Sequence, residues 1–368
     1  CPTAITEREE DLESLLSFST FGESTDSPPS LLCELSSEDE DGSCTERYFE
    51  YVPQTRSWEL RQNIIKKDFD ILTKDEERRF SNLVAEASTA ELKSWVDLDT
   101  MCTIPLSKAR NTIDPRWVHK WKNKDGKRSV KSRLVIRGFK DSQQTNLETY
   151  SGTASRWSQR LICSIAASKR WQLLSADVGT AFLHGLTFQK MAELTGEPLR
   201  EVCIKLPTEA ARILQQFKQF KHFNPTTMGL KLITPVYGLK DAPRAWRLML
   251  DKILTELGGK KMVVDRQIYL WHVNGNLVLL ASTHVDDLKI TGEKTWLDWL
   301  LREIEVRVGK LTVKNAKEGF EHCGICHKQL ADMTVTMDQE AYVKQLKPIP
   351  LPKIADQEAL VSDGLHKA

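Results

Sequence analysis

Three aspartates carry the strongest chemical signal in this sequence. Asp286 and Asp287 are consecutive and lie between two apolar segments, and Asp177 ends another apolar segment much earlier in the chain. Carboxylate oxygens are ligands that Mg²⁺ accepts while it keeps its other positions for water and substrate phosphates. Two such ions about 4 Å apart can bind both oxygens that exchange in a phosphoryl transfer. The pattern indicates a shared metal site, although Asp286 and Asp287 alone are more typical of a polar turn.

The local sequence predicts strands around these aspartates. Residues 268–273 and 276–283 flank Asn274-Gly275, a dipeptide that favours a two-residue hairpin turn. The second of these strands runs into Asp286 and Asp287, and residues 288–291 can return as a further strand. Residues 172–178 read as a largely apolar strand that contains Asp177. The adjacent acids are therefore expected at the tip of an apolar hairpin.

A second hairpin is predicted earlier in the chain, from residues 117–121 and 130–137 around a turn at 123–126. Side chains alternate between the two faces of a strand, so one face of residues 130–137 is basic and the other is apolar. A basic strand can bind phosphates, and it can equally be a solvated surface. The basic face carries Lys131, Arg133 and Arg137, and the apolar face carries Val130, Leu134 and Ile136.

Charge is divided unevenly along the chain. The first fifty residues contain 14 acidic and 2 basic side chains, whereas the rest contains 37 acidic and 50 basic ones. A basic body suits a partner with a phosphate backbone, because each neutralised phosphate releases condensed counterions. The eight scattered cysteines and the lack of a visible secretory signal predict reduced thiols inside the cell. No apolar run is long enough to span a bilayer, so no membrane is expected as a partner.

Three blocks of sequence follow one another in a recognisable order. They are SADVGTAFLHG at residues 175–185, YGLKDAPRAW at residues 237–246 and HVDD at residues 284–287. Together they resemble the motifs of copia-type (Pseudoviridae) LTR-retrotransposon reverse transcriptases, and residues 131–139 resemble the basic fingers strand of that family. The resemblance spans roughly residues 85–346. Within these blocks two positions depart from the family pattern, because Asp241 stands where the family commonly has Gln and His284 where it has Tyr.

The resemblance implies an enzyme, an RNA-directed DNA polymerase that transfers a nucleotide from a dNTP to a primer 3′ hydroxyl. Its partners would be an RNA or DNA template with a primer. Asp177 and Asp286 would ligate two Mg²⁺ ions, or Mn²⁺ ions, with help from the backbone carbonyl of Val178, and Asp287 would complete the acidic cluster. A retrotransposon polyprotein also implies an intracellular location, either cytoplasmic in a particle or nuclear, and not a secreted one.

Further residues receive nucleotide-binding roles from the same resemblance. Two basic residues of the fingers, Lys120 and Arg133, would bind the triphosphate. Lys131 lies on the same face of the strand as Arg133 and remains an alternative to it. Phe182 would be a steric gate that excludes a ribose 2′ hydroxyl, while an ordinary core aromatic is the other interpretation. The segment after Tyr237 would form the floor under the nascent base pair. The implied nucleotide-binding residues are Lys120, Arg133, Phe182, Gly238, Lys240 and Pro243.

The implied fold is an α+β right-hand polymerase, with fingers, palm and partial thumb and with an antiparallel palm sheet backed by helices. A capping box at Thr73 and Glu76 predicts the start of a helix whose apolar face runs from Phe80 to Val96. The expected organisation is a disordered acidic segment at 1–60, a helical lead-in at 61–110, a reverse transcriptase domain at 111–346 and a tail at 347–368. Within that domain we expect fingers at about 111–175 and 186–235, palm at about 176–185 and 236–336, and thumb from about 337.

Two other functions remain open from the sequence. The short thumb and His284 allow a catalytically inactive, truncated retroelement remnant that only binds nucleic acid. Cys323 and Cys326, in a Cys-x-x-Cys-His pattern, allow a haem or zinc protein. The same segment resembles the family's primer-grip hairpin, in which Phe320 and Ile325 would pack, and the cysteines are then expected to line the core.

Overall fold

The computed structural model describes the strands at 35–38, 44–52 and 57–65, and residues 70–124, 127–144 and 147–344. The chain divides into two units, Cys1–Arg79 and Phe80–Ala368. The first unit contains an antiparallel sheet in the order β1-β2-β3. Its elements are β1 (Leu35–Glu38), β2 (Cys44–Val52), β3 (Ser57–Ile65) and α1 (Lys74–Arg79).

The strands of the first unit fall where the sequence analysis expected disorder. Tyr48, Phe49 and Tyr51 in β2, and Trp58 in β3, are residue types that favour strands. The low count of apolar residues averaged over the acidic segment concealed this local enrichment. The remaining residues of the segment 1–60 lie outside the described part of the chain.

The predicted capping box forms at the start of α1. The backbone N–H of Glu76 donates to Thr73 Oγ1 at 3.2 Å, and the N–H of Thr73 donates to Glu76 Oε2 at 2.9 Å. The helix does not continue through Phe80, which has φ −109° and ψ 32°, outside the helical range. The expected single helix is therefore two helices.

The second unit carries the remaining elements. Its helices are α2 (Ser81–Asp97), α3 (Arg156–Lys169), α4 (Phe188–Thr195), α5 (Thr208–Leu214), α6 (Ala242–Glu256), α7 (Lys294–Val308) and α8 (Glu340–Val343). Its strands are β4 (Met101–Pro105), β5 (Thr112–Ile113), β6 (Pro115–Lys124), β7 (Lys127–Ile136), β8 (Gln172–Val178), β9 (Cys203–Ile204), β10 (Met228–Leu232), β11 (Lys260–Lys261), β12 (Ile268–Val273), β13 (Asn276–His284), β14 (Asp287–Gly292), β15 (Leu311–Asn315), β16 (Phe320–His322), β17 (Ile325–Gln329) and β18 (Val335–Asp338). The fold is α+β.

A six-stranded sheet forms the centre of this unit, in the order β11-β12-β13-β14-β8-β15 with every neighbouring pair antiparallel. The predicted hairpin at Asn274-Gly275 is confirmed. Both residues have positive φ, 51° and 80°, as a type I′ turn requires. This turn sets β13 antiparallel to β12 and directs its far end toward Asp286.

Helices cover both faces of the central sheet. Trp246 and Leu250 of α6, with Leu297 and Leu300 of α7, pack against one face. Ile162 of α3 packs against the other face. Strands buried on both faces need apolar side chains at successive positions, and this explains why the sequence around the aspartates is so apolar.

The hairpin of β6 and β7 is a two-stranded sheet of its own, paired from Pro115 with Ile136 to Lys124 with Lys127. The predicted facing of β7 is confirmed, since Leu134 and Ile136 are buried while Lys131 is exposed. α2 packs against β7 and contributes Leu92 and Trp95 to the same core.

The remaining strands form two smaller sheets, in the orders β4-β10-β9-β5 and β16-β17-β18. In the described ranges, every helix is too short or too polar to cross a lipid bilayer.

Candidate active site

The three aspartates meet at one end of the central sheet. Asp287, the first residue of β14, is the cross-strand partner of Asp177 in β8. Directly opposed residues of an antiparallel pair have Cβ atoms about 5 Å apart and point to the same face. Asp286 lies beside them in the turn between β13 and β14, and its carbonyl accepts a hydrogen bond from the N–H of Val178 at 3.3 Å. The structure therefore brings the three aspartates to the same end of the sheet, with Asp177 and Asp287 directly opposed.

The turn that carries Asp286 is conformationally strained. Val285 has a φ of +55°, a conformation that is an outlier for a β-branched residue. The Trp246 indole N–H donates to the Val285 carbonyl at 2.7 Å, which holds the turn from the side of α6. Such strain persists only where surrounding contacts enforce it, and it is concentrated at functional sites.

Burial, followed by mutual repulsion, disfavours the ionised forms of two of these carboxylates. Burial, followed by the charges of Asp286 and Asp177, raises the pKa of Asp287 to about 6. Burial and the Asp286 charge also raise the pKa of Asp177, against the opposing effect of Lys131 and Lys314. A cation bound between the carboxylates would relieve this repulsion.

Replacing Asp287 by asparagine is expected to raise the melting temperature at neutral pH by roughly 2 to 4 °C when divalent cations are chelated. The folded-state pKa of about 6 lies above the usual carboxyl value. The folded wild type therefore binds a proton more tightly than the unfolded chain does. Its stability falls as pH rises from about 4, the usual pKa of the carboxyl, to about 6, its pKa in the folded protein. Thermal denaturation with EDTA should show the advantage of the variant shrinking as pH falls below about 6.

Asp332→Asn is the matched control for this prediction. Asp332 accepts a hydrogen bond from the N–H of Thr334 at 2.9 Å, and this bond lowers its pKa. Removing such a group should destabilise the protein at neutral pH, with a difference that vanishes in acid. An advantage of Asp287→Asn that does not change with pH would contradict the raised pKa.

The donor set fits divalent cations with oxygen ligands. In the part of the chain that the structure describes, no set of three or more His, Cys, Asp or Glu side chains is gathered around one ion-sized position. Mg²⁺ does not require one, because it usually binds through one or two carboxylates and completes its shell with water and substrate phosphates. The opposed pair Asp177 and Asp287 supplies ligands of this kind, with Asp286 beside it.

A basic groove of about 400 Å³ lies along the exposed face of the β6–β7 hairpin. Lys120 is the cross-strand partner of Lys131, and Arg133 is two residues further along β7 on the same face. Partial desolvation, followed by the charge of Arg133, lowers the pKa of Lys131, while Asp177 acts in the opposite direction. The groove is thus within electrostatic range of the acidic site. Its lining residues are Val118, Lys120, Lys122, Lys131, Arg133, Val135, Tyr237 and Gly238.

Tyr237 connects this groove to Phe182. The guanidinium carbon of Arg133 lies 4.4 Å from the centroid of the Tyr237 ring. The centroid of the Tyr237 ring is also 5.4 Å from that of Phe182, at an interplanar angle of 45°. Phe182 is partly buried in the short 3₁₀ segment Ala181–His184, which follows Asp177 in the chain. Phe182 therefore packs against Tyr237, a residue that lines the groove.

Gly238 allows the closest backbone approach in this region. Its φ is +94°, and an added Cβ would lie 2.0 Å from the carbonyl oxygen of Ile136. The N–H of Ile136 donates to the carbonyl of Tyr237 at 2.8 Å, so this segment joins the edge of β7. Glycine is needed here for both its conformation and its size.

Lys240 and Pro243 follow Gly238 in the chain, but neither is among the lining residues of the groove. Lys240 is exposed, whereas Pro243 is partly buried in the first turn of α6 and its carbonyl accepts from Ser151 Oγ at 3.3 Å. The structure thus brings Lys120, Arg133 and Gly238 together and leaves these two residues to one side.

The structure explains how an aspartate is accommodated at position 241, where the resembled family commonly has Gln. Its buried carboxylate pairs with Arg200, which also pairs with the buried carboxylate of Asp141. A buried acid is stable only when such a partner compensates its lost hydration. Asp241 therefore belongs to a salt-bridge network that joins three separate segments of the second unit.

His284 contacts the β16–β17 hairpin. It is the cross-strand partner of Asp287, and its ring lies 6.0 Å from that of His322, at an interplanar angle of 64°. This contact brings the last residue of β13 against the hairpin that the sequence resemblance assigned as a primer grip.

The cysteines of this hairpin require a correction. Cys323 is exposed at the turn, where its φ is +53°, and Cys326 is half-buried. The expectation that both thiols line the core is wrong for Cys323, because a two-residue turn directs it to solvent. Phe320 is buried and Ile325 is partly buried, as expected for packing residues.

Several residues of the site were not identified from the sequence. Lys122 follows Lys120 on the same face of β6, and the period-two alternation could have indicated it. Tyr237 lies within a recognised block but received no role. Glu91 in α2 contacts Arg133 at 3.5 Å, and no local pattern signals this contact.

The geometry places two opposed carboxylates and a third acid at one end of the central sheet, and comparison with known proteins shows which proteins this chain resembles. Residues 99–196 match the family described as reverse transcriptase (RNA-dependent DNA polymerase). The chain is 28% identical over 216 residues to the retrovirus-related Pol polyprotein from transposon TNT 1-94 of Nicotiana tabacum, with 58% of this chain and 15% of that protein covered. It is 26% identical over 293 residues to the corresponding polyprotein from transposon RE2 of Arabidopsis thaliana, with 76% and 18% covered.

A solved structure of apo telomerase from Candida tropicalis, truncated from its C-terminal domain, aligns with a TM-score of 0.37 at 8% identity, covering 70% of this chain and 60% of that one. The chain spans less than a fifth of the length of the two polyproteins. The sequence matches confirm the recognised resemblance, and the chain is related to the reverse transcriptases of copia-type retrotransposons.

Proposed function

We propose that this chain is the RNA-directed DNA polymerase of a retrotransposon polyprotein. The observation that carries the proposal is the cross-strand pairing of Asp287 with Asp177, with Asp286 beside them in the turn. The reaction joins the α-phosphate of a dNTP to the 3′ hydroxyl of a primer on an RNA or DNA template, and pyrophosphate leaves. Such a transfer needs positioning and charge neutralisation more than covalent participation by the protein.

Asp177 and Asp286, with the backbone carbonyl of Val178, would hold two Mg²⁺ ions, and Asp287 would complete the negative charge of the site. Bound ions of this kind lower the pKa of an attacking oxygen and neutralise a leaving one. The protein's own contribution is the strained turn at Val285, fixed by Trp246, which keeps Asp286 beside the strand of Asp177.

The basic groove supplies the complementary charge for the triphosphate. Lys120, Lys131 and Arg133 present cationic donors on one face of the hairpin, and donors of this kind form the stronger, charge-assisted hydrogen bonds to phosphate oxygens. We assign the guanidinium of Arg133 to bidentate phosphate contacts and Lys131 to a supporting charge, because only a guanidinium offers a planar pair of donors. Gly238, Lys240 and Pro243 would lie beneath the base pair.

The division of the chain into fingers, palm and partial thumb follows from the same assignment. The β6–β7 hairpin and its surroundings, 111–175 and 186–235, would be the fingers, while 176–185 and 236–336 would be the palm. A partial thumb would begin at about 337 and a tail at 347. Support comes from the central antiparallel sheet with helices on both faces and from the separate basic hairpin.

Replacing Phe182 by alanine is expected to raise the efficiency of ribonucleotide incorporation, relative to deoxyribonucleotide incorporation, by roughly 10- to 200-fold. The ring packs on Tyr237 at the border of the groove, and its loss leaves room for a 2′ hydroxyl. The measurement is kcat/KM for UTP and dTTP on a poly-rA template.

Phe139→Ala is the control, since Phe139 is an exposed phenylalanine outside the groove, and it should leave the discrimination unchanged. If Phe182→Ala lowers both efficiencies by the same factor, Phe182 is an ordinary packing residue.

Extension of an oligo-dT primer on poly-rA with Mg²⁺ and dTTP tests the proposal directly. The wild type should incorporate dTTP, and Asp286→Asn should not. Equal incorporation by the two proteins would rule out catalysis at this site. The inactive-remnant alternative predicts binding of the primer and template without extension, and neither the family match nor the intact set of three aspartates favours it.

A further inference from the structure

Glu91 is a buried acid that the proposed reaction does not use. It lies on the face of α2 that packs against β7 and is only 5% exposed. One carboxylate oxygen, Oε1, accepts from the Trp95 indole N–H at 3.2 Å and from the Leu134 backbone N–H at 3.4 Å. The other oxygen, Oε2, lies 3.5 Å from Arg133 Nη1. Both oxygens therefore have partners, and one of them is a cation of the basic groove.

Glu91 and Tyr237 act on the same edge of β7. Glu91 accepts the N–H of Leu134, and the carbonyl of Tyr237 accepts the N–H of Ile136, two residues further along. The guanidinium of Arg133 lies against both groups, at 3.5 Å from the carboxylate and 4.4 Å over the tyrosine ring. These two contacts hold the arginine side chain against the groove wall.

The cost of burying this carboxylate argues against a packing role alone. Desolvation of a charged group is unfavourable unless hydrogen bonds and a nearby opposite charge compensate it. Burial raises the pKa of Glu91, and the Arg133 charge is the largest opposing influence. An uncharged glutamine at this position could still accept the N–H groups of Leu134 and Trp95 at a lower cost of burial. The group that requires a carboxylate here is the guanidinium.

We propose that Glu91 is a positioning residue of the phosphate groove, and that its carboxylate orients Arg133 against Tyr237 so that the guanidinium faces a bound polyphosphate. This inference rests on the proposed function, because it names the residue outside the groove that organises the triphosphate site. Glu91 precedes the matched family segment 99–196 and carries no other assigned role.

Binding of inorganic tripolyphosphate, measured by calorimetry in the absence of primer and template, tests the inference without requiring activity. Glu91→Gln keeps an oxygen for Leu134 and Trp95 but faces Arg133 with an uncharged group. Its affinity should fall by about tenfold, the usual value of one charge-assisted hydrogen bond. Arg133→Ala should lose at least as much, and the double variant should be no weaker than Arg133→Ala, because Glu91 acts through Arg133.

A structural role for Glu91 predicts different results. The losses of the two single variants would then multiply in the double variant, and that result would overturn the inference, as would wild-type affinity in Glu91→Gln. Glu86→Gln, at an exposed position of the same helix, should bind like the wild type. Glu91→Asp moves the carboxylate away from Arg133 by one methylene and is the second variant if Glu91→Gln is unfolded. It should also bind tripolyphosphate more weakly than the wild type does. Wild-type affinity in Glu91→Asp would again refute the inference.

Steady-state kinetics separates this inference from the proposed function. Glu91→Gln should raise KM for dTTP on poly-rA by about tenfold with kcat within about twofold of wild type, as expected for lost ground-state binding. If the wild type itself does not extend a primer, the proposed function fails, while the tripolyphosphate measurements still decide whether Glu91 positions Arg133.

Discussion

Asp177→Asn is expected to lower kcat/KM for primer extension by about a thousandfold, since the ions at such a site contribute several kcal/mol and each 1.4 kcal/mol is a factor of ten. Asparagine has nearly the same shape but brings no negative charge to the ions. The carboxylate of Asp177 is opposed to that of Asp287 across two strands, so no neighbouring position can replace it. The measurement is single-nucleotide extension with Mg²⁺ in excess.

The same substitution should leave the fold intact. Burial and the Asp286 charge already raise the pKa of Asp177, so its ionised form is disfavoured in the folded protein. Asp177→Asn should therefore melt at or above the wild-type temperature while losing activity. Asp298→Asn, at an exposed position of α7 where the carboxylate pairs with Lys294 at 2.7 Å, is the matched control and should retain activity. Comparable activity of the two variants would show that the carboxylate is not catalytic.

Gly238→Ala is expected to destabilise the protein by about 3 kcal/mol or more, the sum expected from overpacking and from a strained backbone. The new Cβ would lie 2.0 Å from the Ile136 carbonyl oxygen, and the residue would have to keep a φ of +94°. The melting temperature should fall by roughly 10 °C. Because the clash pushes this segment away from β7, affinity for tripolyphosphate should fall as well.

Gly309→Ala isolates the conformational part of this effect. Gly309 also has a positive φ, +80°, but an added Cβ there would meet nothing within 4 Å. Its ψ of −170° places it in a backbone region that side chains rarely adopt, so the cost should be about 1 to 3 kcal/mol. Equal losses of stability for the two variants would mean that the backbone contact with Ile136 does not constrain Gly238.

Much of the candidate site could be predicted because its parts are encoded locally. Asn274-Gly275 specifies a tight turn, and the apolar residues that follow specify a strand whose end must carry Asp286 and Asp287. Period-two alternation placed Lys131 and Arg133 on one face of β7, and burial of Leu134 on the other face agrees with it. These signals depend on residues within one strand or hairpin, so no knowledge of distant contacts was needed.

Other features had no local signal. The interruption at Phe80 falls inside an otherwise regular helical pattern. Whether Cys323 is buried depends on which residue of the hairpin occupies the turn. The pairing of Arg200 with Asp241 and Asp141 joins positions far apart in sequence, and a single sequence does not reveal such a network.

The sequence alone determined which residue types are available for chemistry, and through turn and alternation patterns it determined that the acids end strands and that one hairpin is basic. Only the tertiary structure decided that β14 lies beside β8, with Asp287 opposite Asp177, and that Glu91 of α2 reaches Arg133. The physical reason is the distance along the chain over which each kind of interaction acts. Backbone conformation responds to neighbouring residues, whereas strand order and buried ion pairs depend on how the whole core packs, which brings together side chains that are remote along the chain.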